Sequence, residues 1–365
     1  MGKVMKYFAG GNTAEGFVSF FPYVMPQKSR NRMYYIKGGP GVGKSSFMKR
    51  VGVEMEKAGY AIEYFYCSGD PECLDGVAIP ALGIGLMDAT APHSYDPVIP
   101  GACDTLVSLG DYLDEEALSP YVSEIEHLGT KVSTGYRNAY HYLKAASELK
   151  RVISESDLHD TVYEIERKVR LHADRLAEQY FGQSKEMQSV KAVQQAGNVR
   201  KLFLEAYTHM GYISHMNDHD WGRIVLIPDL SELATDVLLR ELLTKAVTAG
   251  MDAVVLHNPL QAALLSHLYI PSEDVLFTGD GSIQNQTHPC EIYKPEDMIC
   301  REAFQDHQYE KLIQLAVEQL KSAKKAHDEL EVYYIDHMDF ACWEEKLNQV
   351  LTNIKNQTDT KQNCQ

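Results

Sequence analysis

The feature that most constrains this chain is an internal repeat. At a constant offset of 191 positions, Arg32-Met33-Tyr34-Tyr35-Ile36 falls on Arg223-Ile224-Val225-Leu226-Ile227, and Gly59 falls on Gly250. The apolar run 62–66 meets 253–257, and Ile79-Pro80 meets Ile270-Pro271. Upstream, after a small length change, Phe8 pairs with Phe203 and Gly16-Phe17-Val18-Ser19 with Gly211-Tyr212-Ile213-Ser214. Downstream, Leu143-Lys144-Ala145-Ala146 resembles Leu320-Lys321-Ser322-Ala323. Ungapped agreement of strand, helix and turn glycine points to a duplicated unit.

Each unit reads as alternating strands and helices. In the first, a strand at 6–9 leads to a helix starting around Thr13, a suitable N-cap residue. A buried strand at 33–37, a glycine loop and an amphipathic helix at 44–57 follow, and Gly59 takes the C′ position. Then come a strand at 61–67, a short helix and a strand at 83–88. This pattern predicts an α/β fold with a parallel sheet in each unit. Helical segments are expected at 119–181, 295–326 and 339–354. The expected domains are residues 1–190 and 196–356, with a polar, disordered tail at 357–365.

The glycine loop carries the chemistry. Gly38-Gly39-Pro40-Gly41-Val42-Gly43-Lys44-Ser45 fits the Walker A pattern. Glycines let backbone N–H groups wrap phosphate oxygens, and the following helix adds its N-terminal dipole. In this pattern Lys44 reaches the β- and γ-phosphates, Ser45 ligates magnesium, and residues 38–45 with Ser46 are the expected nucleotide-binding residues. Asp88 closes an apolar strand, as a Walker B aspartate does, and is the second expected magnesium ligand. Asp70, followed by Glu72, is a candidate base just past the second strand. Thr90 and His93 are candidate γ-phosphate sensors, and Arg50, Arg137 and Lys144 candidate transition-state cations.

The second unit has Asp229-Leu230-Ser231-Glu232-Leu233-Ala234-Thr235-Asp236 where the glycine loop should be. It lacks glycine and lysine and carries three carboxylates, so like-charge repulsion opposes a triphosphate there. Asp70 corresponds to Gln261. This unit is expected to pack on the first, complete its site from the side, or present a partner surface.

Bulk properties narrow the function. A net charge of −16 without a basic run disfavours nucleic acid and anionic membrane as partners. No apolar stretch approaches the roughly 20 residues that span a bilayer, and residues 1–8 do not read as a secretory signal. Seven scattered cysteines, with Cys67 and Cys73 lacking a second pair to complete a zinc pattern, fit free thiols in the cytoplasm.

The segments 37–45, 88–93 and Ala326-His327-Asp328-Glu329-Leu330-Glu331 together resemble a poorly characterised bacterial family of tandem P-loop ATPase-like proteins. The resemblance implies two P-loop NTPase-like units and nucleotide binding, without an established substrate. In that family the second unit often keeps its own P-loop, and here it does not. The expectation is a magnesium-dependent ATPase with one site, binding ATP or GTP in the first unit, and a regulatory or partner-binding second unit. The alternatives are a small-molecule or nucleotide kinase, with Asp70 binding the acceptor, and a nucleotide-gated binding protein with little turnover.

Overall fold

The computed structural model describes residues 2–91, 94–156, 162–181, 195–228, 230–280, 289–294 and 306–362. The first unit runs through β1 (Val4–Phe8), a hairpin of β2 (Gly10–Thr13) and β3 (Gly16–Ser19), β4 (Arg32–Lys37) and α1 (Lys44–Lys57). It continues through β5 (Ile62–Tyr66), β6 (Leu74–Ile79), β7 (Ile84–Asp88) and β8 (Asp104–Ser108). Helices α2 (Glu115–Leu118), α3 (Val122–Ser156) and α4 (Val162–Phe181) follow. The second unit has β9 (Val199–Leu202), the hairpin β10 (Glu205–Thr208) and β11 (Gly211–Ser214), β12 (Arg223–Leu226) and α5 (Glu232–Thr248). Then come β13 (Ala253–His257), β14 (Leu265–Ile270), β15 (Val275–Thr278), β16 (Cys290–Ile292), α6 (His307–Ile335) and α7 (Phe340–Gln362).

The repeat is present in three dimensions. Two six-stranded sheets have the orders β1-β5-β6-β7-β4-β8 and β9-β13-β14-β15-β12-β16, the same topology strand for strand. The sheets are mixed, which corrects the all-parallel expectation. β6 and β14 run antiparallel to both neighbours, in place of the expected short helix. A tight turn, with Cys73 N donating to Asp70 O and Cys67 N to Cys73 O, sends the chain straight back beside β5. A parallel return would need a crossover of a dozen or more residues, and the connection has no room for one. The helix expected at Thr13 is instead the β2–β3 turn. Thr13 Oγ accepts from Glu15 N and donates to Gly16 O, and Gly16 takes a left-handed φ of 98°.

Side-chain alternation along the strands builds four layers. Tyr34, Ile36, Ile62 and Val77 point to one face of the first sheet and pack on Phe47, Met48 and Val51 of α1. Met33, Tyr35, Phe65 and Met87 point to the other face and meet Leu202, Ile224, Val254 and Leu276 of the second sheet. The outer face of the second sheet is covered by α5 and α4. The outer face of the first is covered by α1 together with Trp343, Leu347, Val350, Leu351 and Ile354 of α7. Each half of the chain therefore sends its last helix to the other half's sheet. Burial of Ile354 anchors α7, which continues to Gln362, so residues 357–362 are helical where a disordered tail was expected.

A local two-fold relation organises the join. Phe8 and Phe203, equivalent in the repeat, exchange reciprocal backbone hydrogen bonds of 2.9 and 3.0 Å. Phe20 stacks against Phe203 at 4.9 Å and His257 at 4.5 Å, and the equivalent His215 lies against Phe8 at 4.7 Å and Tyr66 at 4.8 Å. Arg200 of β9 fastens the seam with a forked ion pair to Glu63 (2.8 and 2.7 Å) and donates to the carbonyls of Tyr23 and Val24. Helices α3 and α6 pair antiparallel across both units: Asn138 meets Gln319, Gly135 lies against Ala323, and Tyr121 meets His337.

Burial lowers the pKa of three seam histidines, His215, His219 and His257, the last two to about 4. Their folded form is neutral, so the stability they contribute is present above the unfolded histidine pKa near 6.5. It is lost as pH falls through the folded values. Urea unfolding should therefore show stability declining from about pH 6.5 toward 4, each of His219 and His257 contributing up to about 1.4 kcal/mol per pH unit in that window. A His219→Gln/His257→Gln double variant should have a shallower slope; an unchanged slope would refute the assignment.

Candidate functional site

Residues 38–43 join β4 to α1 at the carboxyl end of the parallel strands, the edge where open α/β sheets bind ligands. Gly41 and Gly43 adopt left-handed φ values of 71° and 83°. Gly43 is the N-cap of α1 and offers no side-chain acceptor, so the first-turn N–H groups remain available to an anion. Val42 is buried and pins the loop from below, whereas Ser46 is exposed.

Lys44 Nζ donates to the carbonyls of Gly38 (3.1 Å) and Gly39 (2.8 Å) and lies 3.6 Å from Asp88 Oδ2. Asp88 ends β7, which pairs directly with β4. Its Oδ1 accepts from Thr90 N at 2.8 Å, and Thr90 Oγ donates to Gly38 O at 3.1 Å. Ser45 Oγ accepts from Leu74 N at 2.9 Å, so the start of β6 sits beside the loop. The structure thus brings Lys44, Ser45, Asp88 and Thr90 together around residues 38–43. His93 lies outside the described residues.

Asp75, which no motif in the sequence marks, belongs to the same cluster. It sits across from Asp88 in the antiparallel β6–β7 register and is almost fully buried. Burial, reinforced by the Asp88 charge, pushes its carboxyl up to about 8. The signal in the sequence was an acidic residue inside the apolar run Leu74-Asp75-Gly76-Val77. Ser45, Asp75 and Asp88 bring together hard oxygen donors of the kind that would suit a magnesium ion.

Asp70 is held differently. Burial works against its ionisation, but hydrogen bonds from Glu72 N (3.1 Å), Cys73 Sγ (3.3 Å) and Lys324 outweigh it and hold the carboxyl below the usual range. A carboxylate so satisfied is a poor proton acceptor. Its partner Lys324 comes from α6, at 3.2 Å, and also binds Asp328. Among the cations considered from sequence, Arg50 is paired with Glu344 at 2.7 Å, Arg137 donates to Thr134, and Lys144 is exposed on α3. Among the described residues all five cysteines are free thiols, and burial with the Asp70 charge pushes Cys73 up to about 11.

The second half of the chain covers the loop. Glu331 Oε1 of α6 accepts a hydrogen bond from Gly41 N at 3.2 Å. A methyl group on Gly39 would meet the Tyr334 ring at 2.8 Å, one on Gly41 the Glu331 carbonyl at 2.8 Å, and one on Gly43 the Trp343 indole nitrogen at 2.9 Å. Glycine is required here both by backbone conformation and by the helices resting on the loop.

In the second unit the same position has wound into helix. Helix α5 begins at Glu232, three residues before the point equivalent to Lys44, capped by Ser231 Oγ accepting from Ala234 N. Asp236 takes over the structural bond of Ser45, accepting Leu265 N at 2.8 Å. Thr235 stands for Lys44, Gly279 for Asp88 and Ser266 for Asp75. Lys150 of α3 closes this end with an ion pair to Glu232 at 2.5 Å. No family model, curated protein or solved structure matches the chain. Among the described residues no helix is long and apolar enough to cross a membrane.

Replacing Gly43 with alanine forces a left-handed φ on a residue with a Cβ and drives that Cβ into Trp343. The variant should be destabilised by about 2–3 kcal/mol in denaturant unfolding. In a Trp343→Leu background the steric part of the loss should shrink while the backbone part stays. A Gly43→Ala protein as stable as the wild type would show that the loop geometry described above is wrong.

Proposed function

We propose that the first unit binds one magnesium–nucleoside triphosphate per chain, ATP with GTP as an alternative, and hydrolyses it. The observation that carries this reading is the concerted difference between the two units. Lys44, Ser45, Asp75 and Asp88 cluster on one sheet edge. All four are replaced on the equivalent edge, by Thr235, Asp236, Ser266 and Gly279. The same sheet topology stands without them. Buried polar groups oppose folding, and the second unit folds without counterparts of Lys44, Asp75 and Asp88, so the place of these three in the first unit is best explained by a ligand.

Each residue then has a task. Backbone N–H groups of Gly39 and of Gly41 to Ser45 hold phosphate oxygens, and Lys44 turns from the loop carbonyls to the phosphates. Ser45, Asp75 and Asp88 would hold a magnesium ion, which would neutralise charge on the phosphates. Asp70 anchors α6 through Lys324. The kinase alternative draws less support, because the Asp70 carboxylate it would use for an acceptor is already satisfied. The cover that α6 places over the loop favours a second reading, in which turnover is slow and nucleotide acts chiefly as a bound signal.

Calorimetric titration with MgATP should give a stoichiometry of about one per chain. Lys44→Ala should weaken binding at least about tenfold and bring phosphate release to the level of the buffer blank. Asp88→Asn should lessen the dependence of affinity on magnesium. Two sites per chain, or no binding of either ATP or GTP by the wild type, would overturn the proposal. Binding without phosphate release would select the second reading.

A further inference from the structure

One backbone donor of the loop is already taken by a group of the protein itself. Gly41 N points at Glu331 Oε1, and that side chain, about one-third exposed, also lies 3.8 Å from His327 Nδ1 on the same helix. Tyr334 and Ile335, one turn further along α6, lie against Gly39 and Gly41. Helix α6 is also tied to the first unit by the Lys324–Asp70 pair. The opposite end of the α3–α6 pair is closed differently. There Lys150 of α3 pairs with Glu232, and Gln261 donates to Ser147 at 2.8 Å. At that end opposite charges meet, and an arriving triphosphate has no glycine loop to enter. At the first unit's end a carboxylate rests on a backbone donor, and a phosphate oxygen would seek the same N–H.

We infer that Glu331 is a tethered competitor of the triphosphate, so that nucleotide binding releases the carboxyl-terminal end of α6 from the loop. This rests on the nucleotide reading above and adds regulation of that site by the second unit. Two anions cannot share the Gly41 N–H, and at close range their charges repel. The triphosphate brings more charge and is held by further N–H groups and by Lys44, so it displaces the single carboxylate. The displaced segment carries Tyr334 and Ile335 with it and leads within five residues to α7, the helix that covers α1. Occupancy of the loop is thereby converted into movement of an element that belongs to the other unit.

The test measures MgATP and MgGTP binding by calorimetry for the wild type, Glu331→Gln, Glu331→Ala and Lys44→Ala. Amide hydrogen exchange across 324–335 is followed in the wild type with and without nucleotide. The expected result is affinity about five- to twentyfold tighter in both Glu331 variants, from removal of one charge-assisted competitor. Exchange in 324–335 should rise on nucleotide addition. Equal affinity of wild type and variants, with unchanged exchange, overturns the inference while leaving nucleotide binding intact. Weaker binding in the Glu331 variants also overturns it, by making Glu331 a ligand-holding group. If neither wild type nor Glu331 variants bind either nucleotide, the nucleotide reading fails and the inference falls with it. The exchange measurement on the wild type stands even if a variant does not fold.

Discussion

Each sheet carries helices on one face only, and this leaves a second apolar face that must be buried. The other sheet supplies the cover. A surface formed by Met33, Tyr35, Phe65 and Met87 has few ways to escape water, and the duplicated unit offers a matching one. The two-fold exchange of hydrogen bonds between Phe8 and Phe203 follows from that need. Equivalent surfaces that meet each other do so across an axis, as in an isologous dimer, here within one chain.

From this join comes the coupling between the halves. The α3–α6 pair lies across both units at the loop ends of the sheets, and α4 and α7 cross to the opposite cores. The loop of the first unit is therefore framed by its own strands below and by α6 and α7 above. The second unit, without glycine or lysine at 229–236, keeps the scaffold and places its helices on its neighbour's loop. Its own equivalent loop has become ordinary helix, capped by Ser231 and locked by Lys150.

Much of this was legible in the residues. The repeat, the strand–loop–helix at 33–57 and the placement of Asp88 beside Lys44 follow from local patterns that act over a few residues. The antiparallel β6 did not, because a short apolar run such as 74–79 reads as helix or strand with equal ease, and the turn at Cys67–Cys73 decides. Thr13 was a fair cap by residue type, yet Gly16 made a hairpin turn cheaper. The parts of the site that come from Glu331, Tyr334 and Trp343 were beyond reach, since a contact between residues nearly 300 apart leaves no local pattern. Asp75 was visible as an acid in an apolar run but gained meaning only from the strand register beside Asp88.

The crossing of α7 to the first sheet also sets a timetable. Ribosomes release the chain from its amino end, and domains commonly fold as they emerge. Here the glycine loop and its sheet are made about 300 residues before Trp343 and Leu347, which complete that sheet's helical cover. Until they appear the outer face of β4 and α1 remains incompletely dry, and the loop lacks the helices that frame it. The first unit thus cannot finish folding as soon as its own residues have been made. It waits for the second, and a nascent chain stalled between them would expose a half-covered core to chaperones or to other chains.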